Sequence, residues 1–378
     1  MTTTVQPPPV GVPDAGVIDD ARERQRHQRR RGMIGLVVLA SLGGVAAIAA
    51  LVISGRGSPT TTGGGLSAAG LPTGTLATLH VAGKLAVGPN GALYVADVGG
   101  DRILVRLPDG RFRVVAGDGK VGFSGDGGPA VRAELSSVSD LSFAPDGALY
   151  VADGGRVRVI GRNGVIRTIA GDGRQSKAVA NGTPALSGPL GSTNSMAVRG
   201  DGLSIAFSPR GQLYISTGSQ VLRLTNAGTL ATVRAVATSG LVRGSLRDFG
   251  PIAIDGQGNI DLAGSFTGWS IWQIAPSGAA REVGFARQTG GDFATLERDP
   301  NGVVYAEDES TIARIESLRL VPTFRIGFPL IHFAFGPHGT FYADDYPGGT
   351  AFEKHQKLVS VHNSHISLLW REKNATPK

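Results

Sequence analysis

"PDGALYVADGGRVRVI" occupies Pro145–Ile160, and "PNGALYVADVGGDRILVRL" occupies Pro89–Leu107. The chain writes nearly the same sentence twice, 56 residues apart. Self-similarity at a fixed period marks a repeat architecture, each copy being one supersecondary unit. The anchor is a turn glycine followed three residues later by an apolar or aromatic strand residue. It recurs as "PRGQLY" (Pro209–Tyr214), "GQGNID" (Gly256–Asp261), "PNGVVY" (Pro300–Tyr305) and "PHGTFY" (Pro337–Tyr342). In the fourth copy Gly256 replaces Pro and Asp261 replaces Tyr.

Each anchor follows a short apolar strand: "LAV", "LSFA", "IAFS", "IAID", "TLERD" or "FAFG". A second strand comes next, then a third such as "RILVRL" (Arg102–Leu107). A tight turn such as "LPDGR" or "GRNGV" leads to a fourth, as in "RFRVVAG" (Arg111–Gly117) or "VIRTIAG" (Val165–Gly171). Asp-Gly and Asn-Gly supply the positive φ that hairpin turns need. Four antiparallel strands per unit, six times over, is the arithmetic of a six-bladed β-propeller. One such sheet cannot bury both faces alone, whereas six arranged radially bury each other's.

The segment "VVAGDGKVGFSGDGGPAVRAELSSVSDLSFAPDGALYVADGGRVRVI" resembles the NHL repeat, spacer included. The likeness is plainest over residues 85–173 and fades in the last three units. It implies an all-β, six-bladed NHL-type propeller. It also implies that the Asp after "YVA" (Asp97, Asp153) is a structural acceptor for nearby backbone N–H groups, as short Asp side chains are in turns. Thr217 and Gly264 stand at that position in units three and four, Asp308 and Asp345 in five and six. For ring closure, "LATLHVAG" (Leu76–Gly83) and "HISLLWRE" (His365–Glu372) compete to complete the last blade. The "VAG" favours the N-terminal strand.

Residues 1–32 are polar and end in "ARERQRHQRRR" (Ala21–Arg31). "MIGLVVLASLGGVAAIAALVI" (Met33–Ile53) carries no charge and is long enough to span a hydrocarbon core of ~30 Å. Six Arg precede it and only Arg56 lies close behind. The positive-inside rule therefore expects a cytoplasmic N-terminus and an extracytoplasmic remainder. A cleaved signal peptide is the competing reading, but the apolar run is long for one and no clean cleavage site follows. The expected organisation is a basic tail over 1–32, one transmembrane helix over 33–53, a Gly/Ser/Thr/Pro-rich tether over 54–74 and the propeller over 75–378. Net charge is +7, of which +5 lies after residue 32, no footprint for nucleic acid. The chain has no Cys, which removes disulfides, thiolate metal sites and Cys nucleophiles.

The search for chemistry yields no catalytic residue and no cofactor or metal site. "GDGKVG" (Gly117–Gly122) has dinucleotide-fingerprint spacing but no helix after it. Asp118 and Asp126 lack the alternating acidic ligands of a calcium loop and read as turn acceptors. His332, His338, His355, His362 and His365 cluster late near Asp344 and Asp345, and His/carboxylate sets can bind zinc. Yet the late units alone supply them, and His362 and His365 would point to opposite sides of one regular extended chain.

In a propeller, the turns between strands one and two and between three and four share one face. Here those are short and stereotyped. The long segments Gly117–Asp140, Gly171–Leu203, Ala263–Ser270 and Asp345–Phe352 belong to the other face. Variable loops over a rigid scaffold are where binding residues concentrate, and aromatics are enriched at interfaces. Arg102, Phe123, Phe266, Trp269 and Tyr346 are therefore the candidate ligand-binding residues. The expected function is noncatalytic recognition of a protein, peptide or envelope glycan. Membrane attachment is through one helix, in the manner of a receptor kinase's extracellular sensor without the kinase. The alternative is an extracytoplasmic lyase- or lactonase-like enzyme with its site at the central channel.

Overall fold

The computed structural model describes residues 74–176, 178–191, 203–233, 248–265, 269–285, 295–308, 311–325, 330–336, 340–345, 357–362 and 365–371. The expected tail, membrane helix and nearly all of the tether lie outside them. Among the described residues no helix is long and apolar enough to cross a membrane.

Six antiparallel sheets of four or five strands follow one another along the chain, confirming the six blades. A short strand β1 (Leu76–Ala77) precedes the first blade, which runs β2 (Ala82–Val87), β3 (Leu93–Asp97), β4 (Arg102–Arg106), β5 (Phe112–Ala116). Blade two is β6 (Val138–Phe143), β7 (Leu149–Asp153), β8 (Arg156–Ile160), β9 (Ile166–Ala170). A short β10 (Thr183–Pro184) leads to blade three: β11 (Ser204–Phe207), β12 (Leu213–Ser216), β13 (Val221–Leu224), β14 (Thr229–Thr232). Blade four is β15 (Asp248–Ile254), β16 (Ile260–Ser265), β17 (Trp269–Ile274), β18 (Ala280–Phe285). Blade five is β19 (Leu296–Arg298), β20 (Val304–Asp308), β21 (Thr311–Glu316), β22 (Arg319–Arg325). Blade six is β23 (Leu330–Phe335), β24 (Phe341–Asp345), β25 (Lys357–His362), β26 (His365–Arg371).

The anchor fixes an identical register in every blade. Its last residue pairs across the ladder with a small inner-strand residue: Tyr94 with Ala86, Tyr150 with Ser142, Tyr214 with Ala206, Tyr342 with Ala334. The tyrosine then packs on the next blade. Tyr94 meets Phe143, Tyr150 meets Phe207 and Tyr305 meets Phe335, with ring centroids 4.9, 4.7 and 4.6 Å apart. These rings belong to the apolar clusters between blades, where each sheet buries a face it could not bury alone.

Ring closure differs from the expectation. Blade six takes all four strands from the C-terminal end, β26 included. Leu76–Ala77 instead pairs antiparallel with β5, on the outer edge of its own blade. The reason is proximity: β26 follows β25 through a two-residue connection, with His362 opposite His365. Closing so short a loop costs far less entropy than recruiting a strand from the other end of the domain. The same pairing corrects the His362–His365 geometry, since they sit on two strands of a hairpin and not on one extended run.

The first spacer and the described part of the second are built into the sheets. Each adds an extra edge to the blade it leads into: Pro129 bridges Val165 in blade two, and Thr183–Pro184 pairs β14 in blade three. Covering an outer edge removes a template for unwanted strand pairing. Gly117 and Gly171 make the sharp exits from β5 and β9 at φ 94° and 87°. A Cβ at Gly117 would lie 2.8 Å from Arg102 Cα, and one at Gly171 would lie 2.7 Å from Arg156 Cα.

Candidate functional site

Two regions concentrate chemistry: the face bearing the spacers, and the central channel.

On the spacer face, the repeated aspartates are structural acceptors. Asp97 accepts from the His80 and Val81 N–H groups, and Asp153 from those of Ser136 and Ser137. In blade six, His332 N–H donates to Asp344, one residue before Asp345, the position expected from sequence. Arg102, a candidate for ligand contact, is drawn into this framework. Its guanidinium lies 3.0 Å from Asp97 and 3.1 Å from His80 Nδ1.

The first spacer is pinned by Arg158, whose side chain is fully buried. Arg158 donates to the carbonyls of Glu134 and Ser124 and to Asp153 and Asp126. Asp126 also accepts from Thr168 N–H. Hydrogen bonds from Thr168 and Arg158 hold its carboxyl below the ordinary value against the opposing effect of burial. Asp118 accepts from Lys120 N–H, and Asp172 likewise from Arg174 N–H. Asp118 therefore acts as the expected turn acceptor, as Asp172 does, and "GDGKVG" is a turn, not the opening of a helix. Asp126, expected to act likewise, instead reaches across to Arg158 and Thr168 of blade two.

That rigid spacer holds apolar side chains out in solvent. Phe123 is 44% exposed and Val121 70% exposed, with Val98 of the neighbouring turn 47% exposed. The Arg156 guanidinium stacks 3.8 Å from the Phe123 ring centroid, and Arg156 is itself held by the carbonyls of Gly154 and Asp172. Of the other candidates, Trp269 opens β17, and Phe266 and Tyr346 lie outside the described residues. Among the late histidines, His332 Nδ1 lies 3.2 Å from Asp344 and His362 Nδ1 2.9 Å from Thr340 Oγ1, while His338 and His355 lie outside the described residues. No group of three metal-capable side chains occurs among the described residues.

From sequence the channel entered only as the place of the alternative, enzymatic site, with no residue assigned to it. It holds a cavity of about 260 Å³ lined by the inner strands of all six blades. At the level paired with the anchor's last residue stand Ala86, Ser142, Ala206, Ala253 and Ala334, and these small side chains leave the hollow. Blade five breaks the ring, placing Glu297 there opposite Tyr305. One residue on, Val87, Phe143, Phe207, Ile254 and Phe335 line the wall towards the short-turn face, and blade five again departs with Arg298.

Lys84 crosses the floor. Its Nζ lies 2.8 Å from Glu297 Oε1 and 3.5 Å from Asp140 Oδ1. Asp140 also accepts from the Ser204 hydroxyl and the Ile205 N–H, both at 2.8 Å, and Ser204 Oγ accepts from Ile252 N–H. One polar belt thus ties blades one to five. Burial alone would lower the Lys84 pKa, but the two carboxylates overcome it and hold the amine above its ordinary value. Burial pushes Glu297 up to about 7, with Lys84 pulling it back and Asp140 pushing it further. The two shifts pull opposite ways for the pair: Lys84 gains from both carboxylates, while Glu297, desolvated and beside Asp140, is on balance harder to ionise, because one cation is shared between two carboxylates.

No protein-family model matches the chain. Human teneurin-1 is 38% identical over 101 residues, covering 23% of this chain and 4% of the relative. Human teneurin-4 is 40% identical over 96 residues, covering 22% and 4%. The chain thus spans only about 4% of the length of these curated relatives. Among solved structures, virginiamycin B lyase from Staphylococcus aureus superposes with TM-score 0.47 and 14% identity, over 77% of this chain and 84% of that one. A gluconolactonase from Xanthomonas campestris gives TM-score 0.47 and 12% identity, over 71% and 84%. These distant likenesses assign no activity to this chain.

Proposed function

We propose that the protein is a noncatalytic binding propeller, held at the outer side of a membrane by its N-terminal apolar segment. It recognises a protein, peptide or envelope glycan through the spacer face. The observation that carries this reading is the rigid exposure of Val121 and Phe123. Apolar side chains kept in solvent by a buried Arg158 network contribute nothing to the core, and exposed apolar clusters mark interaction surfaces. Their character favours an apolar protein or peptide surface over a glycan.

The test is photo-crosslinking in living cells from an unnatural residue at Val121, with one at Arg162 on the short-turn face as control. A discrete adduct from Val121, absent from Arg162 and lost on Phe123→Ser, is expected. Equal adducts at both positions, or none at either, would overturn the assignment.

A channel enzyme is the second reading, favoured by Glu297, a partly buried carboxyl brought near neutrality. Against it, Lys84 and Asp140 are already committed to the belt that joins the blades. They have a structural task that a proton-transfer role would have to interrupt.

A further inference from the structure

The cavity's polar groups are unequally satisfied. Lys84 and Asp140 are engaged on several sides. Glu297 offers only one oxygen to Lys84, and its side chain is 23% exposed, so a second carboxylate oxygen is left for the hollow. Arg298 is exposed at the cavity rim and, among the described residues, makes one long contact, 3.4 Å from its Nη1 to Ile254 O, so its other N–H donors are open to solvent and available to a ligand in the cavity. Both residues stand where the other five blades carry small or apolar side chains. Neither follows from the repeat, although Glu297 joins blade one through Lys84 and Arg298 touches blade four through the Ile254 carbonyl.

The hollow therefore presents one unfilled acceptor of negative character and one unfilled donor of positive character. Around them are the apolar Phe143, Phe207 and Phe335. At ~30 Å³ per water, the cavity has room for about nine waters, hence for a ligand of about as many non-hydrogen atoms. A lone cation would face Lys84 and Arg298, and a lone anion would face Asp140 and Glu297. A molecule carrying both charges matches both unfilled groups and leaves the cavity's charge unchanged.

We propose that this cavity binds a small zwitterion of the free amino acid class, its ammonium on Glu297 and its carboxylate on Arg298. A guanidinium suits a carboxylate because its N–H donors match two oxygens at once. The phenylalanine wall gives the ligand's side chain an apolar surface. The cavity lies at the short-turn side of the inner strands, so this site is independent of the spacer face.

Isothermal titration calorimetry on the full-length chain in detergent tests it. The probes are the twenty protein amino acids, with ethanolamine carrying only the ammonium, propionate only the carboxylate, and glucose neither. At least one amino acid should bind with a Kd of about 1 mM or tighter, and each single-charge probe about tenfold or more weaker. Glu297→Gln and Arg298→Phe should each weaken binding by about tenfold or more. Arg298→Phe restores the residue of blades two, three and six, so it separates ligand contact from folding. No amino acid binding at about 10 mM, glucose or a single-charge probe binding as well as any amino acid, or binding indifferent to Arg298→Phe would overturn the proposal.

Discussion

At the residue scale, the repeat's departures are the informative positions. Asp261 stands where all five other anchors end in a tyrosine that is packed into a seam of the ring. It is fully buried, with Gln273 Nε2 3.0 Å from one oxygen and no hydrogen-bond partner for the other among the described residues. Burial pushes its carboxyl up to about 8, and Asp255 adds to that. The folded state therefore keeps this proton where the unfolded chain gives it up, so the stability it lends at pH 4 is lost as pH rises towards 8. Asp261→Asn keeps a carbonyl for Gln273 and removes the titration. We expect wild type and variant to unfold alike near pH 4, with the variant ahead by about 2–5 kcal/mol near pH 8. A gap that does not change between those pH values in urea titrations would contradict this.

At the scale of elements, the first spacer behaves as part of blade two. Arg158 occupies the register position that holds Leu104 in blade one and Leu222 in blade three. Arg158→Leu would match those blades yet strand the carboxylates of Asp153 and Asp126. Removing one partner of a buried charge network costs about 3–5 kcal/mol, which chemical denaturation would read directly. The spacer amides of Gly117, Asp118 and Gly122, bonded to Ala130, Ala133 and Leu135, should exchange hydrogen faster in that variant. If they exchange as in wild type, the spacer is held by its backbone bonds and Arg158 is not its pin. At Gly117, substitution by Ala forces a side chain against Arg102 at positive φ and should cost about 2 kcal/mol.

Elements also show what sequence could and could not reveal. Turn glycines and the anchor tyrosines made every blade visible, because positive φ and ladder register are local demands. The Asp97 and Asp153 acceptors were visible for the same reason. Arg158 was not, since "RVRVI" reads as ordinary strand alternation and three of its four partners lie 24 to 34 residues away. "TLERD" was read as one more apolar inner strand. Only the register shows Glu297 and Arg298 replacing small and apolar residues at two levels of one channel. The signal was present as a broken pattern, but its meaning depended on six strands converging.

At the scale of the whole molecule, the ring has two unlike ends. One carries the spacers and the rigidly exposed Val121 and Phe123. The other carries short turns and the wall of a polar-floored cavity. Local hairpin pairing of β25 with β26 decided how the ring closes, a choice that a "VAG" motif could not encode. Both functional assignments are proposals about these ends, and the recognition assignment requires the propeller to face the outside of the membrane.

The chain contains no Cys, so a single Val121→Cys substitution gives one addressable thiol on the spacer face. The decisive measurement is labelling of that thiol in intact cells by a membrane-impermeant maleimide, compared with labelling after permeabilisation. Equal labelling in the two states is the predicted result. Labelling that appears only after permeabilisation would place the propeller inside and contradict the account.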